Sequence, residues 1–146
     1  MEKYFTLRTK LLRLSAYSTS KLMQLKIPKL ERLLDELCTT IVILRDRECV
    51  VCGYRDNLTN GHFVRRGHRV IRWDLENCNC QCLACNGIHE VDGEPYTTWM
   101  LEYYGLETVR RLALEVMNHV KLTREDRMTA YEKMVKVAKK ILGADE

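Results

Sequence analysis

With 146 residues, of which 46% are apolar and 30% charged, the chain has room for one domain with a real core, and its composition is that of a globular and not a disordered protein. No apolar run approaches the ~18 residues a membrane-spanning helix needs. Nor does an apolar stretch follow the basic start as in a signal peptide, so a cytoplasmic location is expected. The net charge is only +4, but it is unevenly spread.

Residues 1–30 carry seven Lys/Arg against the single Glu2, and Tyr4, Leu7, Leu11 and Leu14 recur among them at helical spacing. Pro28 suits a first helical position. It is followed by the stripe Leu30, Leu33, Leu34, Leu37, Ile41 and Leu44, which predicts a helix to about Arg47 with Cys38 as a core residue.

From Cys49 to about Glu94 the character changes to Cys, Gly, Asn and His. Leu58–Val64 and Val70–Leu75 read as strands joined by a turn over Arg65–Arg69, and a short helix is expected near Cys82–Cys85. After Pro95, Tyr96, Trp99 and Tyr103 share a helical face that Gly105 terminates. Val109, Leu112, Ala113, Val116 and Val120 stripe the next helix. Thr123 with Asp126 resembles a capping box opening a last helix that buries Met128, Tyr131, Val135, Ala138 and Leu142. The expected fold is mainly α with a small β-hairpin. A single domain is divided into basic amphipathic helices over 1–48, a metal-stapled ββα centre over 49–94 and C-terminal helices over 95–146.

Seven cysteines without an export signal point to metal rather than disulfides. Cys49-Val-Val-Cys52 and Cys82-Leu-Ala-Cys85 are CxxC pairs with 29 residues between them. Two residues between thiolates let both sulfurs reach one tetrahedral Zn(II) at about 2.3 Å, and two such pairs close its shell. Cys78 and Cys80 crowd the second pair and either could replace Cys82, though only Cys82 has the two-residue spacing to Cys85.

Gly61-His62-Phe63 on the first predicted strand, Asn77 five residues before Cys82, and Asn86 directly after Cys85 complete an ordered pattern. That order resembles the zinc-containing HNH nucleases. Ile43-Leu44-Arg45-Asp46 leading into the first Cys pair, and the run from Arg72 to Asn86, resemble more narrowly the NinG/Rap family of phage recombination endonucleases. The resemblance covers about residues 35–110. It implies a treble-clef ββα-metal core, a host-cell cytoplasmic setting, and hydrolysis of DNA phosphodiesters in branched recombination intermediates such as Holliday junctions. A homodimer would suit the cutting of two opposed strands.

The chemistry of the residues supports the same reading. Phosphodiester hydrolysis requires a base for water and positive charge for the phosphate and departing oxygen. His62 is the expected base. Asn86 offers a carbonyl oxygen to a catalytic Mg(II) or Mn(II), an ion distinct from the structural zinc. Asn77, grouped with His62 as catalytic, is expected to brace the loop or the imidazole ring. Arg65, Arg66 and Arg69 are expected DNA contacts, with alternate arginines of the hairpin projecting beside His62. Lys133, Lys136 and Lys140 could add backbone contacts. Many HNH nucleases place a second metal ligand just before the catalytic His, where this chain has Gly61; His89, Glu90 or Asp92 could replace it. The alternative is a catalytically silent treble-clef zinc module that binds nucleic acid or protein. A sequence-specific restriction or homing nuclease is disfavoured because no separate base-reading module is evident.

Overall fold

The computed structural model describes residues 2–143. Within them lie seven α-helices, α1 (Glu2–Leu14), α2 (Thr19–Gln24), α3 (Ile27–Asp46), α4 (Leu83–His89), α5 (Glu94–Tyr103), α6 (Leu106–Glu115) and α7 (Arg124–Gly143), and two strands, β1 (Leu58–His62) and β2 (Cys78–Cys82). No helix among the described residues is long and apolar enough to cross a membrane.

α3 is the spine. Pro28 lies in its first turn, where a missing N–H costs nothing, and Arg47 ends it in the left-handed region with its N–H on the Ile43 carbonyl. Its first half follows the expected stripe, whereas Thr40–Leu44 is buried all round. That half is sheathed because α1, α7 and both strands pack against α3. Along α3, Leu30, Leu34, Leu37 and Ile41 are fully buried, each contributing roughly 2 kcal/mol through burial. Leu37→Ala would forfeit about 3 kcal/mol.

Two elements depart from expectation. The short α2, capped by the Ser18 side chain on the Lys21 N–H, had no distinctive periodicity to announce it. α6 stops at Glu115: Leu112 is buried, Val109 only packs against that cluster's edge, and Ala113 and Val120 are exposed. Asn118 forms a turn there instead, accepting from the Val120 N–H. The capping box is present, with Thr123 N–H on Asp126 Oδ2 at 2.8 Å and Asp126 N–H on Thr123 Oγ1 at 3.1 Å. In α7 Tyr131, Met134 and Ala138 are buried, with Met128, Val135 and Leu142 at the edge of the core.

The second strand also needs correction. It is Cys78–Cys82, not Val70–Leu75, and it pairs antiparallel with β1 in the register Leu58 to Cys82 through His62 to Cys78. Residues 70–75 looked alternating, but Arg69–Ile71 is a 3₁₀ turn, and both Ile71 and Trp73 reach cores from a coiled segment. Every residue of β2 is buried, the polar Asn79 and Gln81 included. Asn79 is affordable inside because its amide is saturated. Oδ1 accepts from Arg45 and from Tyr104, both at 3.0 Å, while Nδ2 donates to the Glu76 carbonyl at 3.0 Å and Tyr96 Oη at 3.1 Å. This single side chain thereby joins α3, the hairpin and α5.

Candidate active site and metal centre

The sulfurs of Cys49, Cys52, Cys82 and Cys85 all lie within 4.8 Å of one another. Cys52 and Cys82 are 3.7 Å apart, close to the ~3.8 Å edge of a tetrahedron of thiolates around zinc. The knuckle is built by the backbone: Cys49 N–H bonds to the Tyr54 carbonyl at 2.7 Å, and Gly53, at φ +79°, returns its N–H to Cys49 at 2.8 Å. Cys82 is both the last residue of β2 and the N-cap of α4, so Cys85 follows in the first turn of that helix.

As four thiols alone, the cluster cannot carry four charges. Burial opposes the Cys49 thiolate, but backbone N–H groups of Cys82, Cys52 and Val51 outweigh it and bring the thiol down to about 7. Burial and then the neighbouring sulfurs push Cys85 well up. Four thiolates therefore need a cation, and the donor set fits a metal ion such as zinc. Cys78 and Cys80 do not join them: both are buried in the main hydrophobic cluster with α3.

The stapled hairpin and α4 wall a cavity of about 880 Å³ that includes His62, Arg65, Arg66, Asn86, His89 and Glu90 in its lining. His62 Nε2 lies 2.9 Å from the Arg72 carbonyl. A carbonyl can only accept, so Nε2 carries the proton and Nδ1 keeps its lone pair. Asn86 Nδ2 donates to Thr59 Oγ1 at 3.1 Å, and that hydroxyl donates in turn to the Gln81 carbonyl at 2.8 Å. With its nitrogen committed, Asn86 has its carbonyl oxygen left for a ligand. Position 62 of the strand and position 86 of the helix thus serve one space.

A family model for the bacteriophage lambda NinG protein matches residues 16–142. The chain belongs to the NinG family. That family is associated with phage recombination. No curated protein and no solved structure matches the chain.

In this NinG-family protein the other expected site residues are distributed unevenly. Asn77 is fully buried and lies outside the cavity wall. Its Oδ1 accepts from the Val64 N–H at 2.8 Å, and its Nδ2 donates to the carbonyls of Val64 at 3.0 Å and Ile71 at 3.2 Å. It braces the loop and not the imidazole. Arg65 and Arg66 line the cavity from the loop after β1, so they reach it by loop geometry and not by strand alternation. Arg69 instead faces Glu31 at 3.7 Å and borders a separate groove against α7. Arg72 is buried against the Asp35 carboxylate.

His89 joins the cavity, its Nε2 donating to the Phe63 carbonyl at 2.8 Å and its ring stacked near Phe63 at 5.9 Å. Glu90 follows one turn after Asn86 on the same side of α4, whereas Asp92 lines a smaller cavity of about 150 Å³. Burial, with the charges of Arg66 and Arg72, holds His62 below its ordinary range despite the Arg72 carbonyl and Asp35. Asp35 was invisible to sequence reasoning because an acid on a helix face carries no motif.

Gly61 has its own reason. A Cβ there would overlap the Gln81 side chain, only 2.7 Å from its Cγ and Cδ. Gln81 fills the space in which another residue would carry a side chain at position 61, and Tyr96 Oη donates to the Gly61 carbonyl at 2.6 Å.

Proposed function

We propose that this protein is an HNH-type, metal-dependent DNA endonuclease with a zinc-stapled treble-clef ββα core. The observation that carries the reading is the shared cavity, whose lining includes His62 and Asn86 together with Arg65 and Arg66. A binding module alone has no use for a half-buried, neutral imidazole in the cavity wall whose Nε2 proton is held by a carbonyl.

His62 Nδ1 accepts the proton of a water as its oxygen attacks phosphorus. The bridging P–O bond then breaks, and the departing oxygen takes a proton from solvent. Depression of the His62 pKa keeps the ring neutral near pH 7, ready to act as base. Arg65 and Arg66 hold the phosphate by charge-assisted hydrogen bonds. Asn86 and Glu90 would hold Mg(II) or Mn(II), whose positive charge supports the oxygens of the transferring phosphate. So few protein ligands suit a hard cation that retains several waters.

Membership in a recombination-associated family supports branched DNA, such as Holliday junctions, as substrate, and paired incisions would make a homodimer natural. The test compares four-way junctions, flaps, single strands and linear duplex under one salt and metal condition. Magnesium-dependent nicking should favour junctions and vanish in His62→Ala while zinc content and folding persist. Equal cleavage of linear duplex would remove the branched-substrate reading. Zinc-loaded protein that binds DNA without cutting any form would leave the catalytically silent module.

A further inference from the structure

The proton position of His62 depends on one carbonyl, that of Arg72, and Arg72 lies in the long connection between the strands. A carbonyl in such a segment orients a ring only if something fixes its own peptide. The flanking side chains reveal what does. Arg72 Nε donates to Asp35 Oδ1 at 3.0 Å and its Nη2 donates to Asp35 Oδ2. The Trp73 indole N–H reaches Asp35 Oδ1 at 2.8 Å. Two consecutive residues, one on each side of the orienting peptide, are therefore anchored to one carboxylate.

That carboxylate stands on α3 between the buried Leu34 and Leu37, on the most firmly packed element of the molecule. Arg72 is itself buried, and its guanidinium lies 5.2 Å from the Trp73 ring centre. Glu31, one turn earlier, approaches Arg72 only at 3.7 Å and is shared with Arg69 and Arg127. The fork belongs to Asp35.

We propose that Asp35 is the positioning residue for His62: it clamps Arg72 and Trp73 so that the peptide between their side chains holds the imidazole proton on Nε2. The proposal rests on His62 being the base, and it makes α3 part of the active centre, not only its support. Other charged or titratable groups near the ring are Arg66, which also reaches Asp35 Oδ2 at 3.3 Å, and Arg72 from the loop, Cys78 from β2, His89 at the end of α4 and Glu90 just after it. Cys78 Sγ also donates to the Arg72 carbonyl at 3.3 Å, a weak bond beside the charged fork on Asp35.

The test is ring nitrogen NMR of His62 in the full, zinc-loaded chain, followed by kinetics. Asp35→Asn keeps the shape of the side chain but loses its charge and one acceptor of the fork. The wild type should show the Nε2–H tautomer, and Asp35→Asn a mixture with Nδ1–H. Its kcat should fall roughly 10- to 100-fold with KM little changed. Glu31→Gln should leave the tautomer intact. If Asp35→Asn does not fold, Arg72→Lys, which keeps the charge and loses the fork, is read in the same way. A folded variant that retains the pure Nε2–H tautomer overturns the proposal. If the tautomer changes but even the wild type fails to cut DNA, the positioning stands and the nuclease reading falls.

Discussion

Asn77 offers the sharpest separation of bracing from chemistry. Asn77→Ala would strand two part-buried backbone groups, the Val64 N–H and the Val64 carbonyl, while the Ile71 carbonyl keeps the Asp74 N–H at 3.2 Å. A buried group left without its partner costs about 1–3 kcal/mol, and part of the loop can relax toward water. A loss of about 2–4 kcal/mol is expected. For a chain of this size that lowers Tm by roughly 6–14 °C. Urea unfolding followed by circular dichroism measures the loss, and hydrogen exchange at the Val64 amide localises it. Asn77→Asp sharpens the test, since it can still accept from Val64 N–H but sets a carboxylate against two carbonyls; it should be as damaging as Ala. A loss below about 1 kcal/mol with the Val64 amide still protected would refute the bracing role. Full stability with abolished DNA cleavage would instead restore a direct chemical role.

Other outcomes follow from the same geometry. Gly61→Ala should cost about 1–3 kcal/mol through overlap with Gln81, and adding Gln81→Ala should recover much of it, a coupling measurable in a double-mutant cycle. Elemental analysis should find one zinc per chain, and Cys82→Ser or a strong chelator should abolish both the metal and the cooperative melt, because the thiolates hold β2 and α4 to the first knuckle. The sign of the His62 shift sets its pH behaviour. Its folded pKa is depressed, so its contribution to stability is full above the unfolded value of about 6.5 and is lost as pH falls below it. DNA cleavage should therefore show an acid limb below that pH. Arg66→Gln removes a positive neighbour, so the His62 titration, read from its ring proton signals, should move to higher pH; no movement would mean that Arg66 does not face the ring.

Much of the site was legible from spacing alone, since CxxC geometry is a local property. Two residues between thiolates dictate a knuckle whatever the rest of the chain does. The pattern also placed His62 on a strand and Asn86 on a helix start, and the apolar stripe of α3 was plain. Misreading of the second strand has a specific cause. Alternation in Val70–Leu75 mimicked a half-buried strand, while Cys78–Cys82 hid one whose polar residues lie inside. Asn79 belongs there only because Arg45, Tyr96 and Tyr104 arrive from three distant segments to saturate its amide.

The sequence by itself determined the metal knuckles, the spine helix and the residue types for the chemistry, because each follows from short-range spacing. Tertiary structure alone decided which arginines face the cavity, why a side chain at position 61 would overlap Gln81, and how Asp35 bonds to Arg72, whose carbonyl bonds His62. Those facts depend on side chains 10 to 40 residues apart meeting within hydrogen-bond distance, and no local periodicity encodes such a meeting.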